Sequence, residues 1–161
     1  MTDNRSVLPI PSEELAALRA RYPAGFESSL VMPCLRRIQE LRGHVDDADI
    51  GALAACLGVP RVQVEEALSF YTQYRREAGG RWHVAVCRNV SCSMRGAERL
   101  IDACERKLGV AVGETTSDGR VTLSTVECLG SCGTAPVMMV NDRYVENVSV
   151  EALDALLGEL R

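Results

Sequence analysis

Apolar residues recur at three- and four-residue intervals through the first half of the chain and give way, from Trp82, to short alternating and β-branched runs. Leu30, Cys34, Leu35, Ile38 and Leu41 mark one face of a helix over Ser29–Gly43, with Arg36, Arg37, Gln39 and Glu40 between them. Pro33 fits such a helix only in its first turn, where a missing N–H costs nothing. Upstream, Ser12 followed by Glu13 and Glu14 predicts a capped short helix ending near Tyr22 and Pro23. Downstream, Asp46 or Asp47 caps a third helix, whose Ile50, Leu53, Ala54 and Leu57 share a face and whose stop is Gly58. Pro60 opens a fourth, reaching about Tyr74, with Val64, Ala67, Leu68 and Tyr71 on its apolar face. Short helices on short connections predict a small bundle.

Trp82, Val84 and Val86 then alternate with His83, Ala85 and Cys87 as in a strand, which sets a domain boundary between residues 81 and 82. Glu98–Gly109 has helical spacing at Leu100, Ile101, Cys104 and Leu108. Beyond the turn signal Ser117-Asp118-Gly119, strands are predicted at Val121–Val126, Val137–Val140 and Tyr144–Val148, the last two as a hairpin around Asn141 and Asp142. An amphipathic helix from Ser149 or Val150 to Leu160 follows. The fold class is therefore α+β, a helical bundle over 1–81 followed by a small α/β layered domain over 82–161.

Composition narrows the function. A net charge of -4 and a pI near 5.3 leave no basic surface for phosphates. Ile50–Phe70 could pass for a helix-turn-helix, yet Arg42–Arg76 holds four arginines against five acids, so nucleic acid is not an expected partner. No stretch approaches the roughly 20 apolar residues of a membrane span, and Met1–Pro11 has no signal-like apolar run. The expected location is the cytoplasm, with no direct membrane insertion. Nothing resembles a catalytic triad or a paired-carboxylate site, and His44 and His83 are isolated in the sequence.

The chemistry lies in the cysteines. Seven of them, an odd number without an export signal, argue against a disulfide framework. Cys34 and Cys104 fall on apolar helical faces and Cys56 among alanines, as small buried hydrophobes do. The other four form a C-x4-C pair, Cys87 and Cys92, and a C-x3-C pair, Cys128 and Cys132, each just past a predicted strand. Loops at neighbouring strand ends can bring four thiolates around a metal centre while the sheet behind stays intact. Spacing alone leaves iron–sulfur, zinc and unligated thiols open, although zinc knuckles usually contain C-x2-C. Gly130, Ser131 and Gly133 offer unobstructed amides to sulfur, and Arg88 and Arg95 flank the first pair.

The segment Val126–Asp142 (VECLGSCGTAPVMMVND) closely resembles the thioredoxin-like [2Fe-2S] ferredoxin family, in particular the NuoE-type subunits of respiratory complex I. Cys87–Ala97 (CRNVSCSMRGA) resembles that family's first ligand loop, and Leu108–Arg120 (LGVAVGETTSDGR) its connector. Leu57–Pro60 with Ser69–Tyr71 resembles its helical domain, so the likeness covers nearly the whole chain. It implies one [2Fe-2S] cluster, with Cys87 and Cys92 on one iron and Cys128 and Cys132 on the other, in a thioredoxin-like second domain. It also implies a NuoF-type partner subunit holding FMN and oxidising NADH, forming a heterodimer within a larger complex I assembly peripheral to a bacterial inner membrane. Related subunits serve NAD-linked hydrogenases and formate dehydrogenases. The chain departs from many relatives at Glu77-Ala-Gly-Gly80, where they carry Pro-x-Gly. Ala135-Pro136 stands where thioredoxin-like folds often hold a cis proline.

Overall fold

A computed structural model describes residues 7–160, which divide into two compact units between Ala78 and Gly79. The first is all helical: α1 (Ser12–Arg19), a 3₁₀ turn (Glu27–Leu30), α2 (Val31–Arg42), α3 (Asp47–Leu57) and α4 (Arg61–Phe70). Its core is the periodic set of the sequence, with Leu35, Ile38, Val45, Ile50, Leu53 and Val64 fully buried. Each such side chain contributes about 1.5–3 kcal/mol over an exposed one. Asp46 caps α3 reciprocally, its carboxylate accepting from the Asp49 amide at 2.8 Å while Asp49 accepts from the Asp46 amide at 3.2 Å. Arg37 ties α2 to α1 through a two-pronged pair with Glu14, at 2.6 and 3.0 Å.

Several expectations for this unit are corrected. Ser12 is the first helical residue and makes no cap; Pro11 occupies that position. Leu41 is 43% exposed because α2 has turned it off the core by its last turn. The fourth helix stops at Phe70, since Tyr71 is extended (φ -92°, ψ 103°) and 39% exposed. Tyr74, beyond the helix, is the residue that turns inward, its hydroxyl donating to the Met32 carbonyl at 3.0 Å.

The second unit is built on a mixed sheet of order β2-β1-β3-β4. Strands β1 (Trp82–Cys87) and β2 (Val121–Val126) are parallel, whereas β3 (Met138–Val140) runs antiparallel to β1 and to β4 (Arg143–Val145). A short helix, α5 (Val90–Met94), precedes the longer α6 (Ala97–Leu108), and α7 (Leu153–Gly158) closes the unit. Val84, Val86, Leu123, Met138 and Val140 share one core with Leu100, Ile101 and Cys104 of α6 and Leu153 and Leu156 of α7. Gly79 and Gly80 lie against the start of β2, where the Gly80 amide donates to Thr122 Oγ1 at 2.6 Å. A Cβ on Gly80 would stand 2.7 Å from the Val121 nitrogen, so the glycine pair is what lets the chain pass this close.

Here too the boundaries shift. β4 ends at Val145 instead of reaching Val148, because Asn147 is left-handed (φ 49°) and the Glu146 side chain turns to two hydroxyls. The last helix starts at Leu153, after a turn in which the Ala152 amide meets Ser149 Oγ at 3.3 Å. α5 is an addition to the expected elements, since its five residues carry no period; Asn89, which occupies its N-cap, is the available signal.

Candidate metal centre

The parallel pairing puts Cys87 opposite Val126, so both cysteine loops leave the same end of the two central strands. The Arg88 amide donates to the Val126 carbonyl and the Cys87 amide to the Val137 carbonyl, each at 3.0 Å, which fastens three chain segments at that end. From there the first loop enters α5 at once. Cys87 and Cys92 are 3% and 2% exposed and pack with Ala97, Ala135 and Val137 in a small core of their own. The Ala135–Pro136 peptide beside them is cis.

Burial pushes the Cys92 thiol up, while the Val137 amide opposes that shift and the neighbouring Cys87 and Cys132 thiols add to it. Cys92 thus feels a thiol of its own loop and one of the other loop. Cys128 and Cys132 are exposed. Gly130, left-handed at φ 75°, donates its amide to Cys128 Sγ at 3.3 Å, and Cys132 begins a single 3₁₀ turn to Thr134. Arg88 does not stand as a bare cation: Glu127 meets it at 3.0 Å, joining the residue after Cys87 to the residue before Cys128. Arg95 is exposed at the end of α5.

The second loop is held from outside. Tyr144 donates its hydroxyl to the Leu129 carbonyl at 3.0 Å, and Glu146 accepts from Thr134 Oγ1 at 2.7 Å and from Ser131 Oγ. These two hydroxyls hold the Glu146 carboxyl below its ordinary range. Neither Tyr144 nor Glu146 stands out in the sequence, because the hairpin alone brings them back beside the loop. Among the described residues no three His, Cys, Asp or Glu side chains converge on a single ion position.

Of the remaining cysteines, Cys34 packs in the helical core and Cys104 in the core beneath the sheet. All seven are free thiols, and burial raises Cys34 and Cys104 to about 11. Cys56 departs from its expected burial: it is only half-buried, and Arg19 donates to its carbonyl at 2.7 Å and approaches its sulfur at 3.7 Å.

Four thiols on paired loops at one end of a mixed sheet, with an amide already turned to sulfur, are the features of a cysteine-ligated ferredoxin on a small α/β frame. Residues 15–161 match the thioredoxin-like [2Fe-2S] ferredoxin family, and the chain belongs to it. It is 47% identical over 149 residues to an NADH-quinone oxidoreductase subunit of Rhizobium meliloti, covering 92% of this chain and 88% of that one. It is 42% identical over 143 residues to a second NADH-quinone oxidoreductase subunit, from Thermus thermophilus, covering 88% and 79%. The crystal structure of an NAD+-reducing [NiFe]-hydrogenase in the H2-reduced state shares the fold, with a TM-score of 0.70 at 19% identity over 81% of this chain and 22% of that one. A [2Fe-2S] cluster and electron transport in an oxidoreductase assembly thus come with the family. Among the described residues no helix is long and apolar enough to cross a membrane.

Proposed function

We propose that the chain is the electron-transfer subunit of the NADH-dehydrogenase module of an NADH:quinone oxidoreductase, carrying no complete active site of its own. Cys87 and Cys92 would hold one iron and Cys128 and Cys132 the other, and the bound cluster would supply a one-electron site. The observation that carries this reading is the register of β1 on β2, which sets Cys87 opposite Val126 so that both cysteine pairs emerge at one end of the sheet. The donor set fits: four thiols, with the Gly130 amide on Cys128 to offset the charge that thiolates bring. The chain's own residues bury the first pair, leave the second exposed and fix both loops to the sheet end.

The electron partner in this reading is the FMN of a NuoF-type flavoprotein subunit that oxidises NADH, bound as a heterodimer within complex I peripheral to the inner membrane. The α/β domain, 82–161, is the carrier and the helical domain, 1–81, the docking element. Identity above 40% to two NADH-quinone oxidoreductase subunits over most of their length favours complex I over the diaphorase of an NAD-linked hydrogenase or formate dehydrogenase.

Anaerobic purification with iron and acid-labile sulfide analysis, followed by electron paramagnetic resonance after dithionite reduction, tests the cluster. Two irons and two sulfides per chain are expected; stoichiometric zinc without sulfide would overturn the reading. Co-purification from the native host tests the assembly, and recovery with hydrogenase or formate dehydrogenase subunits in place of quinone-reductase subunits would move the chain to that alternative.

A further inference from the structure

The two cysteine loops differ in what holds them. The first is folded into α5 and a buried cluster, whereas the second, from Cys128 to Cys132, is exposed and has no strand or α-helix of its own. Its restraints come from the chain after the hairpin. Ser131, placed between the two cysteines, and Thr134, two residues beyond the second, bring their hydroxyls 2.8 Å apart against one oxygen of Glu146, to which each gives its single proton. The Asn147 amide adds a bond to the Thr134 carbonyl at 2.8 Å and the Val148 amide one to the Pro136 carbonyl at 3.0 Å. The short strand β4 therefore ends in a clamp whose jaw is a carboxylate.

We propose that Glu146 is a positioning residue for the second ligand loop, fixing Ser131 and Thr134 while setting a permanent negative charge beside the cluster that makes its reduction less favourable. The inference rests on the cluster reading above. Chemically it has two parts. A carboxylate accepting from two hydroxyls makes charge-assisted bonds, stronger than neutral ones, so it can hold an exposed loop that apolar packing does not reach. Hydroxyl partners leave its charge uncancelled, unlike the arginine that meets Glu127. A centre that gains an electron gains negative charge, so a nearby anion opposes the gain and its removal favours it.

The test uses the full chain with its cluster, comparing wild type with Glu146→Gln, Glu146→Asp and Glu146→Ala. Readouts are iron and sulfide content, the paramagnetic resonance line shape of the reduced form, the rate of iron release to a chelator, and an equilibrium redox titration. Glu146→Gln keeps the shape and an acceptor oxygen but removes the charge. It is expected to retain the cluster and to raise the reduced-to-oxidised ratio at fixed potential about threefold, which is about 30 mV for one electron. Glu146→Asp keeps the charge and should restore most of the wild-type ratio. Glu146→Ala also removes the clamp, and should release iron several-fold faster with a broadened resonance. A wild type with its full iron and sulfide, beside Gln and Ala variants with unchanged ratio, line shape and release rate, would overturn this inference and leave the cluster reading intact. A wild type holding neither iron nor sulfide would overturn the cluster reading itself, and this one with it.

Discussion

The two cysteine loops start from the same sheet end and are built on opposite principles. Cys87 and Cys92 are buried in a hydrophobic cluster and a short helix, so their positions follow from packing. Cys128 and Cys132 are exposed, and their loop is held by directed bonds from Gly130, Tyr144 and Glu146. Packing resists displacement in every direction at once, whereas a hydrogen-bonded loop is as stable as its few bonds. An electron carrier has use for both: a fixed half that keeps the centre registered on the sheet, and an open half that a partner can approach.

The sharpest way to break this comparison is to replace one cysteine of each pair. Cys92→Ser and Cys128→Ser should both lose stoichiometric iron and sulfide, since each removes a proposed ligand. They should part company in the metal-free protein. Placing a hydroxyl in the apolar cluster around Cys92 costs about 1–3 kcal/mol, while the same change at exposed Cys128 stays within about 0.5 kcal/mol. Urea denaturation of the two apo variants measures this. Equal losses would mean that the first loop owes nothing to packing.

Chemical labelling sharpens the contrast and extends it to the thiols outside the site. Burial raises Cys34 and Cys104 to about 11 from an ordinary 9.0, a hundredfold drop in thiolate at moderate pH. In metal-free protein, iodoacetamide with mass-spectrometric readout should modify Cys128 and Cys132 first, then Cys87 and Cys92, with Cys34 and Cys104 slower by about a hundredfold than an exposed thiol. The same shifts carry a stability consequence. Both thiols are buried neutral, so the stabilisation is complete below about pH 9 and is lost as pH rises towards about 11. An alkaline melting series should show that decline.

How much of the fold and site is legible in the sequence follows from the same physics. The helical unit is legible because helix periodicity, the Asp46 cap and the Gly58 stop are local signals that agree with burial at Ile50, Leu53 and Leu57. Strand positions, the hairpin at Asn141 and the Ala135–Pro136 turn are equally local. α5 is not, because five residues cannot display a period and only Asn89 announces it. The two cysteine pairs stand out by spacing, but the residues that hold the second pair do not. Tyr144 and Glu146 lie 15 residues from their partners Leu129 and Ser131 in sequence, and an exposed Tyr or Glu on a predicted hairpin looks like ordinary surface until the strand order is known. The sheet order β2-β1-β3-β4 is what turns a C-terminal hairpin into a support for the loop after β2.

A smaller effect is expected from Tyr144→Phe, which deletes the bond to the Leu129 carbonyl. A neutral hydrogen bond is worth about 1 kcal/mol and this one is half exposed, so about 0.5 kcal/mol is expected in denaturant titration. Its larger signature should be local, as faster hydrogen exchange over residues 128–132 with no change in α5. Uniform acceleration across both loops would remove the distinction between them.

The smallest effect belongs to the side-chain ion pair that spans the two loops, Arg88 to Glu127. Both side chains are largely exposed, at 53% and 77%, so water and salt screen the attraction and the pair contributes little to stability. The backbone bond from the Arg88 amide to the Val126 carbonyl already joins the loops at the same place and survives any side-chain change. A double-mutant cycle with Arg88→Gln and Glu127→Gln should therefore give a coupling energy near the lower limit of measurement at low ionic strength and none in high salt. Coupling that persisted at high salt would mean that the pair is shielded from solvent and that the loops are held together by charge. The division between a packed loop and a hydrogen-bonded one would then have to give way to a single electrostatic unit around Cys87 and Cys128.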